Sequence, residues 1–178
     1  MAHSIELLLD LGTDAAVRRM WTALVDGGLP SQGNHRSSSN RPHVTLVAAG
    51  RISPGVDDLA RGLADRFPLT VDIGATVVFR GGRSTVARLV VAGAGLLALH
   101  RDLHDIAVPF VDGAIFDHCT PGHWTPHVTV ARRVSDDQLG RVIAVADSAA
   151  PGDLPTASII GLRRWDGEAR EEVGLVSV

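Results

Sequence analysis

Two segments of this chain read almost alike: Pro42-His43-Val44-Thr45-Leu46 and Pro126-His127-Val128-Thr129-Val130, with their histidines 84 residues apart. The residues after each copy are also alike. A run with helical apolar spacing comes first, then a strand-like run with a glycine and an aromatic residue, then a turn and a last strand. The glycines, Gly74 and Gly161, are 87 apart, and the aromatics, Phe79 and Trp165, are 86 apart. Offsets that agree within three residues over three landmarks describe an internal duplication. The fold class this implies is α+β and bilobed: two pseudo-symmetric lobes, each with an antiparallel sheet and covering helices, around a central cleft. At 178 residues the chain suits one such domain over residues 1–178.

Local patterns fill in the elements. Residues 3–11 predict a strand, and Thr13 predicts the cap of a helix carrying Val17, Met20, Trp21 and Leu24 on one face. Residues 31–40 are polar and turn-rich and predict a mobile loop. After the strand from His43, Ser53 and Pro54 open a second helix with Val56, Leu59, Leu63 and Phe67 on one face, stopped by Pro68. Two strands, 69–80 and 84–92, flank the turn Gly81–Gly82. A helix over 95–107 comes next, then an irregular stretch over 108–125 and the strand from His127. Ser135 and Gln138 form a capping-box pattern before a helix reaching Asp147. Strands over 156–165 and 170–178 close the chain.

Composition limits the partners. Net charge is −3 and every cation is an arginine, so charged phosphate contacts fall to Arg. A net negative chain is poorly suited to long DNA, where affinity comes from many summed phosphate contacts. A small substrate needs only a local positive site. The single cysteine, Cys119, excludes an intrachain disulfide and fits a reducing compartment. The first residues lack a basic segment before the apolar run and carry Glu6 and Asp10, unlike a secretory signal. No apolar run approaches the roughly 20 residues of a membrane span. The expectation is a cytoplasmic monomer with no membrane partner.

The duplicated motif carries chemistry. On a strand, the first and third residues of His-Val-Thr face one side and the valine faces the other. His43 and Thr45 share one face, as do His127 and Thr129. Lobes related by a pseudo-two-fold axis bring both pairs to one groove. Cleaving a phosphodiester requires a base for the attacking oxygen and an acid for the leaving one. Imidazole, with an ordinary pKa of about 6.5, serves as either. Threonine hydroxyls donate to the non-bridging oxygens. The scheme uses no metal and no cofactor.

His43-Val44-Thr45-Leu46 and His127-Val128-Thr129-Val130 resemble the paired His-x-Thr-aliphatic motifs of the 2H phosphoesterases. The chain length and Ala131-Arg132 after the second motif look most like the 2′-5′ RNA ligase-like, cyclic phosphodiesterase branch. The resemblance implies a bilobed α+β fold with His43 and His127 catalytic and Thr45 and Thr129 on the phosphate. It implies opening of 2′,3′-cyclic phosphodiesters on nucleotides or RNA ends. Joining of RNA ends through a 2′-5′ bond, and phosphate binding without turnover, are the alternatives. Sequence leaves open which histidine is the acid.

Secondary candidates surround the pair. Arg41, two residues before His43, shares its face, and Arg132 faces away from His127 unless the strand bulges. Trp124 is a stacking candidate beside the second motif, whereas Phe79 and Trp165 are better explained as lobe core. Loop 31–40 and segment 117–125 are placed to shape specificity. A metal-dependent rival would draw on His118, His123 and His127. The helical pair His100 and His104 has Arg101 where a zinc protease motif has glutamate, and Asp105 has no evident place in a site. Nothing nearby activates Cys119 as a nucleophile.

Overall fold

The computed structural model describes every residue except 1, 36, 151–153 and 155. Its strands are β1 (His3–Leu9), β2 (His43–Ile52), β3 (Leu69–Phe79), β4 (Ser84–Val90), β5 (Val111–Ile115), β6 (His127–Val134), β7 (Thr156–Asp166) and β8 (Glu171–Ser177). Its helices are α1 (Leu11–Asp26), α2 (Asp57–Arg61), α3 (Ala94–Ala107) and α4 (Leu139–Ala149). Every strand pairing is antiparallel, in the order β5-β2-β1-β7-β3-β4-β6, with β8 attached to β7. Among the described residues no helix is long and apolar enough to cross a membrane.

The sheet has two halves joined by β3. Leu69–Asp72 pair with β7, and from Ile73 the same strand runs on with β4. The lobes are therefore not contiguous in the chain. The duplicated unit is β1–α1–β2–α2–β3 in one copy and β4–α3–β6–α4–β7 in the other. Each copy lends its last strand to the sheet of its twin: β7 lies against β1, and β3 against β4. Read from sequence, each unit begins at its histidine strand, which is one strand and one helix too late. The first strands, His3–Leu9 and Ser84–Val90, share only an apolar alternation, which marks no boundary. Helices cross over too, with α1 packed on α4 and β6, and α3 on β2.

Core packing follows from the alternation. Val44, Leu46, Val128 and Val130 are buried to 1% exposure or less, on the helix-covered side. Each such apolar side chain removed from water contributes roughly 1.5–3 kcal/mol. Gly161 is required where β8 meets β7, since a Cβ there would lie 2.8 Å from the Val176 carbonyl oxygen.

Several expected elements differ. Asp10, not Thr13, caps α1: its carboxylate accepts from the Thr13 backbone N–H at 2.9 Å and from the Thr13 hydroxyl at 2.9 Å. The helix expected from Ser53 to Phe67 is a 3₁₀ turn at Pro54–Val56, the five-residue α2 and another 3₁₀ turn at Ala64–Arg66. Gly62 ends α2, and Leu59 points to solvent at 53% exposure while Val56, Ala60, Leu63 and Phe67 go inward. The stretch expected to be irregular holds β5, an edge strand paired with β2. Gln138 opens α4; its side-chain oxygen accepts from both the backbone N–H and hydroxyl of Ser135, so only half of the capping box forms. Within 31–40 a 3₁₀ turn, Gln32–Asn34, is held by Asn40, whose amide donates to the Gln32 and His35 carbonyls. Arg36 of that loop lies outside the described residues.

Candidate active site

The motif strands β2 and β6 lie toward opposite ends of the sheet path, yet the sheet curls so that they touch. Each motif ends at a bulge. Glu6 pairs with Thr45 and Ile5 with Val47, leaving Leu46 as the extra residue. Ala87 pairs with Thr129 and Val86 with Ala131, leaving Val130. Bulges increase local twist and re-aim side chains, and here they fall at equivalent places after both threonines.

The two imidazoles are held the same way. Nδ1 of His43 lies 2.7 Å from the Arg41 carbonyl, and Nδ1 of His127 lies 2.7 Å from the Thr125 carbonyl. A carbonyl only accepts, so each Nδ1 carries the hydrogen and each Nε2 is left for a reacting group. The His43 side chain is 18% exposed, and His127 is half-buried. Thr45 is half-buried and Thr129 is 8% exposed.

Burial pushes the His127 imidazole below its ordinary value, against the pull of the Thr125 carbonyl; the charges of Arg132, His43 and His118 push it further down. Arg132 is exposed, and the bulge ahead of it brings its charge within reach of His127 despite its odd offset. Phe79 is not lobe core: its half-buried ring lies 4.5 Å from the His127 ring, tilted by 49°. Its counterpart Trp165 is half-buried and also outside the core.

Trp124 is a strut. Its indole stacks on His100 at 4.0 Å and donates to the Thr45 carbonyl at 2.9 Å. Trp21, on α1, donates in the same way to the Thr129 carbonyl at 3.0 Å. Each motif strand is thus gripped at its threonine by an indole from the other copy. Arg41 is engaged as well, donating to Glu172 Oε1 at 2.7 Å.

Sequence reasoning missed a buried polar chain beside His43. Glu6 Oε1 lies 3.6 Å from Nε2 of His43 and accepts from the Ser4 hydroxyl at 2.6 Å. Glu6 Oε2 accepts from Arg163 Nε at 2.8 Å. Arg163 also donates to the Ser39 carbonyl at 2.8 Å and to Glu172. Burial works against ionisation of Glu6, but the charges of His43 and Arg163 and the Ser4 hydrogen bond outweigh it and hold the carboxyl below its ordinary range. The signal was charge inside two largely apolar strands, Glu6 in HSIELLL and the pair Arg163-Arg164 in TASIIGLRRWD.

The remaining histidines do not gather. Among the described residues no group of three His, Cys, Asp or Glu is arranged to hold a metal. His100 is buried with Nε2 2.9 Å from the Cys119 carbonyl, and His123 is exposed beside the Thr120 hydroxyl. Burial pushes the Cys119 thiol up to about 11. A surface hollow of about 530 Å³ is lined by α1 residues, among them Arg18 and Thr22, with Ala149, and by neither motif.

Solved structures share this fold. The chain aligns with E. coli LigT, solved with 3′-AMP, at 13% identity and a TM-score of 0.53, covering 97% of this chain and 93% of that one. TT0787 of Thermus thermophilus aligns at 18% identity and a TM-score of 0.55, over 99% and 97% of the two chains. A structure described as a phosphoesterase aligns at 16% identity and a TM-score of 0.55, over 99% of both. No curated protein matches the sequence. The family model of the 2′-5′ RNA ligase superfamily matches residues 13–168, and this chain belongs to that superfamily of phosphoesterases and ligases.

Proposed function

We propose that this chain is a metal-independent phosphodiesterase that opens 2′,3′-cyclic phosphodiesters of nucleotides or RNA ends. His43 and His127 form its acid–base pair, and Thr45 and Thr129 hydrogen-bond the phosphate. The observation that carries the reading is the matched pair of imidazoles. Both belong to His-x-Thr motifs on touching strands, and both are held at Nδ1 by the carbonyl two residues earlier, so both offer Nε2. In-line displacement at phosphorus needs a base and an acid on opposite sides, and this pair supplies both without a cofactor. Arg132 adds an exposed positive charge within electrostatic reach of His127, suited to a phosphate. The whole described chain serves as one two-lobed unit, because each lobe is completed by a strand of the other copy.

The 3′-AMP bound to LigT is a nucleoside monophosphate of the kind left when a 2′,3′-cyclic ester opens at the 2′ oxygen. RNA end joining is the second reading, favoured by membership of a superfamily named for that ligation. It is the same ring opening, with a ribose hydroxyl of a second RNA end attacking phosphorus in place of water. The test is turnover of 2′,3′-cyclic nucleotides in excess EDTA by wild type, His43→Ala and His127→Ala. Turnover in chelator that falls about 10²–10⁴-fold in each variant is expected. Activity in either variant equal to wild type would move the active site elsewhere, and loss in EDTA would favour a metal.

A further inference from the structure

The ladder register gives each residue on one side of the pseudo-two-fold a counterpart on the other. Leu8 pairs with His43 as Leu89 pairs with His127. Ser4 pairs with Trp165 as Thr85 pairs with Phe79. Between these rows the counterparts differ in kind. Glu6 pairs with Thr45 on one side and Arg163 on the other. The matching residue, Ala87, pairs with Thr129 and Val77. One motif stands beside a buried ion pair and the other beside two apolar side chains.

The fold itself does not ask for this ion pair. Glu6 is 5% exposed and Arg163 is 4% exposed. A buried ion pair is often replaced by well-packed apolar residues at no cost in stability. At the matching position the ladder forms with Ala87 and the half-buried Val77 and no ion pair. Glu6 is also held rigidly, by Ser4 and by two Arg163 nitrogens at 2.8 and 2.7 Å. What distinguishes its place is the neighbour at 3.6 Å, Nε2 of His43.

The two imidazoles therefore face opposite fields. Facing His43 are Glu6 from β1, with Arg163 from β7 behind it; beyond Arg163 stand Glu172 from β8 and its partner Arg41. The charged groups acting on His127 are Arg132, His43 and His118, all cationic when charged. A carboxylate stabilises a cation beside it, and cations oppose one.

We propose that Glu6, clamped by Arg163, is a positioning residue that fixes the direction of proton flow, so that His43 is the acid and His127 the base in ring opening. A water oxygen bonds to phosphorus and its proton passes to Nε2 of His127. The bond from phosphorus to one ring oxygen breaks, and that oxygen takes the proton from Nε2 of His43. A phosphomonoester and a free hydroxyl leave, and exchange with solvent returns the proton to His43 and clears His127. This assignment rests on the phosphodiesterase reading.

The test is the pH dependence of kcat/KM for a turned-over cyclic nucleotide, in wild type, Glu6→Gln and Glu6→Asp. The basic limb reports loss of the proton from the acid, and the acidic limb reports protonation of the base. Glu6→Gln is expected to draw the basic limb down by about 1 pH unit or more and leave the acidic limb in place; Glu6→Asp is expected to restore it. Movement of the acidic limb instead would reverse the roles and overturn the proposal. Two unmoved limbs would make Glu6 purely structural and overturn it as well. Should Glu6→Gln not fold, the double variant Glu6→Ala/Arg163→Val copies the apolar counterpart and must move the same limb. Absence of turnover by wild type on any cyclic nucleotide would count against the function, not against this assignment. The resting protein then decides by imidazole chemical shifts. Glu6→Gln is expected to shift the His43 imidazole resonances, with a smaller change at His127 through its coupling to His43, and unmoved His43 resonances would overturn the proposal.

Discussion

The indole N–H of Trp21 donates to the Thr129 carbonyl at 3.0 Å, joining the first helix to the second motif strand across the molecule. Trp21 is 4% exposed, so the carbonyl has no water to turn to. Trp21→Phe keeps most of the packing and removes the donor. An unpaired buried acceptor costs about 1–3 kcal/mol. A lower Tm and a fall in kcat of about tenfold or more are expected, since small displacements of a reacting group are costly. Trp124→Phe is expected to act alike through Thr45. Melting curves and steady-state kinetics check both, and an unchanged kcat in both would remove the indoles from the positioning of the site.

Because burial holds His127 low, it stays neutral below its ordinary value of 6.5. A neutral imidazole is the form a base needs. The acidic limb of kcat/KM is therefore expected below pH 6.5. An acidic limb above 6.5 would be inconsistent with His127 as the base.

Stability should fall with acid over the same range. Burial also pushes His100 down from 6.5, helped by nearby His104 and resisted by the Cys119 carbonyl. The unfolded chain takes up a proton there before the folded chain does. Stability is thus full above about pH 6.5 and is lost as pH falls from there through the folded value. His100→Gln is expected to flatten the dependence of Tm on pH between 7.5 and 5 while lowering Tm overall.

Arg164 and Asp57 form a buried pair on the opposite face from Arg163, with two hydrogen bonds at 2.7 and 2.9 Å. Their side chains are 4% and 11% exposed. Asp57→Ala leaves the guanidinium without its carboxylate, at a cost of about 3–5 kcal/mol. Urea unfolding measures this; a cost under 1 kcal/mol would mean that Asp166, 3.9 Å away, takes over.

Cys119 is 2% exposed and its thiol lies at about 11. Alkylation by iodoacetamide at pH 8 is expected only after unfolding. Rapid labelling of the native protein would show that the segment over 117–119 opens.

The motif pairs are legible because a strand alternates its faces, so His-Val-Thr sends histidine and threonine one way whatever the sheet order. The long strands and α3 are legible from period alone. Glu6 and Arg163 are not connected by any sequence pattern, because they are 157 residues apart and meet only through the β1–β7 ladder. Phe79 reads as core for a related reason. Its face is set by pairing with Thr85, and only the curl of the sheet carries that face to His127. β5 is hidden because it is short, contains Gly113 at φ 87° and pairs only at the edge. The helix after Ser53 reads too long because apolar spacing is shared by a string of short turns.

The exchange of β3 and β7 bears on how such a molecule is built. Cut between Phe79 and Ser84, the first half would carry β3 with both its partners absent, the second would keep β7 on β8 alone, and each half's first strand would have one bare edge. Two identical halves would satisfy each other by trading those strands. The present chain is then a tethered form of such a pair. Within one chain the two copies differ at this place, a buried glutamate in one and an alanine in the other, a difference that two copies of one gene product could not hold.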